Sequence, residues 1–136
     1  MIKRLFAVIA FLWLIPWLIA QDAKSDFAGA WQGSFKGTVF CVLKIEGAGD
    51  SISGTLRPGR ITANDDGEIT EAEPSAEDTT FPILNPKVEG KTLAFEWKEG
   101  DAELLKFEFV LTSADEGELR LVNEDHLKPI RVQRAK

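Results

Sequence analysis

Four groups of residues in this 136-residue chain have types and spacing that could do chemistry. Gly49-Asp50-Ser51-Ile52 presents a serine hydroxyl, and His126, the only histidine, is the one imidazole able to act as its base. Asn123-Glu124-Asp125-His126 sets two carboxylates beside that imidazole, a combination that can hold a metal ion weakly. Asp65, Asp66, Glu68, Glu71, Glu73, Glu77 and Asp78 are dense enough to attract Ca²⁺. Cys41 is the only thiol.

None of the four survives a count of partners. A zinc site takes Cys or several His, and one of each far apart in sequence supplies neither. The acidic run lacks the D-x-[DN]-x-[DN]-G spacing that wraps a loop around calcium, so it reads as a solvated surface loop. Ser51 ends Gly47-Ala-Gly-Asp-Ser51, which reads completely as a hairpin turn. Cys41 has no second Cys to pair with and reads as a small buried hydrophobe. The expectation is therefore a chain that is not an enzyme, with no catalytic residues, no metal and no cofactor.

The remaining candidates are aromatic. Phe95 and Trp97 alternate with polar residues on one segment, and Phe107 and Phe109 do so on the next. If they share the inside of a barrel, these four could line a pocket for a small apolar ligand. They could equally interdigitate into a dry core, because about eight strands enclose a space that side chains just fill. Trp31, Phe35, Leu43, Ile45, Leu56 and Leu105 carry the same inward parity.

The elements that would position these residues are short strands of period two, separated by turns. Trp31, Gly33 and Phe35 form one face; Val39, Cys41, Leu43 and Ile45 form the next. Ile52, Gly54 and Leu56 return after Gly47–Asp50, and Asn64-Asp65-Asp66-Gly67 is a tight-turn signal. From Glu71 to Thr80 the chain is acidic and patternless, with Pro74 inside it. Strands resume from Pro82 to Val88, through Leu93, Phe95 and Trp97, then Leu105 to Leu111, Leu119 to Leu121 and Ile130 to Val132. No window has helical period. The reading is all-β: an antiparallel up-and-down barrel or sandwich of about eight strands, since closure removes exposed edges.

The domain begins after a leader. Met1-Ile-Lys3-Arg4 is basic, Leu5 to Ala20 runs 16 residues without a charge, and Gln21-Asp22 is polar. That is the layout of a signal peptide over 1–20, which leaves 21–136 as a single β-barrel domain exported to the periplasm or beyond the cell. An uncleaved anchor is the other reading, although a spanning helix takes about 17–25 apolar residues and Pro16 interrupts this run. Removing Lys3 and Arg4 leaves 14 basic and 22 acidic side chains, a formal charge of −8. Such a chain repels nucleic acid and anionic membrane surfaces, so the expected partner is a protein or a small apolar ligand. With one cysteine there is no disulfide, and the hydrophobic core must hold the fold.

Two resemblances follow from particular residues. Ser25-Asp26-Phe27-Ala28-Gly29-Ala30-Trp31 resembles the opening of the calycin barrels, the lipocalins and their relatives, where a short helical turn feeds a Gly-x-Trp at the start of the first strand. That resemblance implies that Trp31 closes one end of a barrel and that a basic residue of the last strand lies across it. Arg134 has the parity to do so. The run GAWQGSF, ISGTL and KVEGKTLAFEW is also similar to uncharacterised exported bacterial β-domains, which implies location and fold. Gly49-Asp50-Ser51-Ile52 resembles the nucleophile block of GDSL-type esterases, with His126 as their histidine. Those enzymes carry an Asp three residues before the His, where this chain has Asn123, and they need helices that it lacks.

Overall fold

A computed structural model describes residues 26–48, 51–75, 79–122 and 126–135, and the proposed leader, Gly49, Asp50, Glu77, Asp78 and Asn123 to Asp125 lie outside them. The described chain is all-β. Its strands are β1 (Gly29–Phe35), β2 (Thr38–Glu46), β3 (Ser53–Pro58), β4 (Ile61–Ala63), β5 (Ile69–Ala72), β6 (Phe81–Pro82), β7 (Leu84–Glu89), β8 (Thr92–Trp97), β9 (Leu105–Leu111), β10 (Glu116–Leu121) and β11 (Ile130–Arg134).

Nine of them form one antiparallel sheet in the order β6-β3-β2-β1-β11-β10-β9-β8-β7, so almost every neighbour in space is a neighbour in sequence. The first strand pairs with the last: Trp31 lies opposite Arg134 and Gln32 opposite Gln133. The sheet then comes round on itself through one segment, Phe81–Glu89. Its start pairs with β3, Leu56 facing Phe81 and Ile83 N–H donating to the Gly54 carbonyl, while its continuation pairs with β8. Counted as one strand, that segment makes an eight-stranded up-and-down barrel, nearly closed.

Alternation decides what fills it. Trp31, Leu43, Ile45, Leu56, Leu93, Phe95, Trp97, Phe109, Leu119 and Val132 are buried in one continuous cluster, with Phe35, Leu105 and Phe107 half-buried against it. Gly117 makes room for the largest of these: a Cβ there would run into the Phe109 ring and the Val110 carbonyl. The sequence placed Val39 on the face of Cys41, Leu43 and Ile45, and this is corrected. The pairing slips between Gly33 opposite Cys41 and Ser34 opposite Val39, a β-bulge that leaves Phe40 without a partner. The extra residue resets the alternation. Phe40 turns into the core, and Val39 goes with Ser34.

The acidic stretch is also corrected in part. Asn64–Gly67 is a tight turn, and it joins β4 to β5 as a separate hairpin, so Glu71 and Ala72 belong to a strand. The hairpin lies along the rim at the Phe35 end. Gly59 N–H donates to the Phe40 carbonyl, and Ser75 N–H donates to the Val39 carbonyl at 3.3 Å. At its tip Lys128 N–H donates to the Gly67 carbonyl at 3.1 Å, and His126 Nε2 to the Asn64 carbonyl at 3.1 Å. Ile61, Ile69 and Ala72 pack against the core from this side.

Candidate functional site

Two places in the barrel hold the residues singled out by sequence. The first is the end where β1 begins and β11 finishes. The short lead-in Asp26-Phe27-Ala28 is a bend rather than a turn of helix, and Ser25 lies outside the described residues. Phe27 tucks under the barrel, with its ring centroid 5.9 Å from Phe109 in an edge arrangement. Trp31 meets Phe109 at 4.9 Å and 69°, and the Trp31 Nε1–H donates to the Phe27 carbonyl at 3.0 Å. A fully buried indole therefore has its one polar atom satisfied by the lead-in that covers it.

Arg134 completes this end. Its guanidinium carbon stands 4.2 Å from the Trp31 ring centroid. Every guanidinium nitrogen donates to a backbone carbonyl: Nε to Ala114 at 3.2 Å, Nη1 to Ala28, and Nη2 to Asp26 and Ala114, both at 3.1 Å. Asp115 Oδ1 lies 3.5 Å from Nε and offsets the charge. One side chain thus ties the lead-in to the β9–β10 loop across the face of an indole. With its nitrogens so engaged, Arg134 is a fastener rather than a free cation. A cleft of about 420 Å³ beside it is lined by Asp26, Lys91, Leu111, Ser113, Ala114 and Arg134.

The second place is the β8–β9 pair. Phe95 lies opposite Phe107 in the register, and their rings stack at 5.4 Å and 16°. Trp97 meets Phe81 edge-on at 6.2 Å and donates from Nε1 to the Phe81 carbonyl at 3.2 Å. Phe109 belongs to the Trp31 cluster described above. Phe95, Trp97 and Phe109 are 2%, 3% and 0% exposed, so the protein's own side chains occupy the space around them. The four residues offered as a ligand pocket are therefore split. Phe95 and Phe107 turn their rings inward, and only their strands border a groove of about 420 Å³ on the outer face of β7–β9, whose outward side chains are Asn85, Lys87, Ala94, Glu96, Lys106, Glu108 and Val122. Trp97 and Phe109 do not reach it.

The polar candidates are scattered. His126 is exposed and bonded to Asn64, and Ser51 is exposed beside the turn after β2. Asp65, Asp66 and Glu68 are exposed on the β4–β5 turn, whose shape is set by Asn64: its Oδ1 accepts from Asp66 and Glu68 N–H, both at 3.0 Å. Among the described residues, no three His, Cys, Asp or Glu converge as a metal site would require. Cys41 is buried, and burial pushes its thiol up to about 12. Sequence reasoning missed Phe27, Phe40 and Phe81. Phe27 was legible as an apolar residue just before the first strand, whereas a bulge leaves no signal in alternation.

Comparison with protein-family models, curated proteins and solved structures finds no match to this chain.

Proposed function

We propose that this chain is an exported, calycin-like β-barrel without catalytic activity, which works through its outer surface as an accessory domain or a module for a partner protein. The observation that carries this is the packing of Phe95, Trp97 and Phe109 into the filled interior, against Phe107, Phe81 and Trp31. Phe95, Trp97 and Phe109, each at most 3% exposed, meet their neighbours in a way that favours a packed core over a ligand cavity. The surface charge and the basic-then-apolar leader support export and argue against nucleic acid or anionic membranes as partners.

A second reading is favoured by one feature. The groove on the outer face of β7–β9 sets Ala94 and the exposed Val122 among Asn85, Lys87, Glu96, Lys106 and Glu108, and could take a small ligand with an apolar part. Titrating an environment-sensitive apolar dye against the native protein separates the two. A filled barrel ignores the dye. Saturable binding at one dye per chain, lost on Val122→Asp in a protein that stays folded, would replace the accessory reading with the ligand reading.

A further inference from the structure

The barrel is split along one seam, and the open edge of that seam is self-complementary. Phe81–Glu89 pairs with β3 only through its first residues, so β7 forms the last strand of the sheet. Among the described residues, no backbone hydrogen bond reaches the free edge of Asn85 to Glu89. The register identifies which groups it presents. Leu111 N–H donates to the Lys91 carbonyl at 2.9 Å, so Lys91 turns its backbone toward β9 and Thr92 turns toward β7. Alternation then aims the backbone of Glu89 and Lys87 at β8, and the N–H and C=O of Val88 away from it. Val88 shares a face with buried Leu93, yet it is 37% exposed because β3 does not continue beside it.

We infer that this edge pairs with the same edge of a second copy, antiparallel about a two-fold axis through Val88. In that register Val88 exchanges both backbone hydrogen bonds with its symmetry mate, and the two exposed valines meet. Lys87 falls opposite Glu89 of the second copy, and Glu89 opposite its Lys87, which gives two opposite-charge cross-strand pairs. Pro86, which has no N–H, falls opposite Gly90, and Asn85 falls opposite Lys91. No like charges meet. Shifting the register by two residues either way destroys the charge match, so the sequence Lys-Val-Glu selects one alignment. Pro86 and the positive φ of Asn85 end the pairing before it can extend into a longer open ladder.

The test is sedimentation velocity over a concentration series on protein purified after expression of the full chain. Wild type should form a dimer whose population rises with concentration. Val88→Pro should be monomeric; an edge strand tolerates Pro where the N–H faces outward, and an unchanged melting temperature and Trp emission verify its fold. Lys87→Glu places glutamates opposite each other and should weaken the dimer by about tenfold or more. Adding Glu89→Lys to it should restore dimerisation. A wild type that stays monomeric up to about 1 mM overturns the inference. So does a dimer that Val88→Pro leaves intact, or one that the double charge exchange fails to restore.

Discussion

Trp31 and Arg134 are register partners across the first and last strands, and the guanidinium of one covers the indole of the other at 4.2 Å. The contact joins the two ends of the described chain. Truncating Trp31 to Ala should cost about 3–5 kcal/mol, as large aromatic losses in cores do. Arg134→Ala should cost less. Because the cation–π contact and the carbonyl bonds both require the lead-in to be in place, the double mutant should lose less than the sum. Denaturant midpoints of the four proteins check this, and simple additivity would mean the two act independently.

Arg134 should not be replaceable by Lys. Three carbonyls, of Asp26, Ala28 and Ala114, are served by a planar fork, and a single ammonium cannot span them while lying over the ring. Arg134→Lys should recover little of the stability lost in Arg134→Ala by the same midpoints, and near-UV circular dichroism should report the loosened Trp31.

Gly117→Ala should destabilise by about 1–3 kcal/mol, the usual range for an added methyl group in a packed core. Its Cβ would meet both the Phe109 ring and the Val110 carbonyl, one of which is backbone and cannot swing away. Thermal unfolding measures it. A neutral result would mean that Phe109 can shift within the core.

Cys41 gives a pH dependence. Its thiol is held from an ordinary value of 9.0 up to about 12 by burial, so the folded state keeps a proton that the unfolded state releases. The stability this confers is complete below pH 9.0 and declines as pH rises toward about 12. Chemical denaturation from pH 8 to about 11 should show a steeper alkaline loss in wild type than in Cys41→Ala. Thiol reagents should label the native protein only on unfolding.

The β4–β5 hairpin should open without the barrel. Gly67 has φ +81°, and a Cβ there would strike the His126 carbonyl, so Gly67→Ala should release the tip. The expected cost is about 1–2 kcal/mol. Hydrogen exchange should accelerate at Lys128 and Ser75 while Leu93 and Phe109 remain protected. Uniform acceleration through the core would show the hairpin to be part of the cooperative unit.

Export is tested by mass. Protein recovered from the cell envelope or medium should begin near Gln21, and a full-length chain in the membrane fraction would favour the anchor.

Much of this fold is written in period two. The alternation of Trp31-Gly33-Phe35, Leu93-Phe95-Trp97 and Leu105-Phe107-Phe109 determines one buried face per strand, and Gly, Asn and Asp mark where strands reverse. Those are local properties, carried by backbone geometry that each residue contributes alone. The bulge at Phe40, the hairpin laid along the rim and the split of Phe81–Glu89 between two partners were decided only in three dimensions. Each depends on which strand lies alongside, and alternation is identical for a paired edge and an open one. The same limit governed the aromatic candidates. Sequence parity pointed Phe95, Trp97, Phe107 and Phe109 inward, but whether the inside was a pocket or a core depended on the rings arriving from Phe27, Phe81 and Trp31, which are distant in the chain.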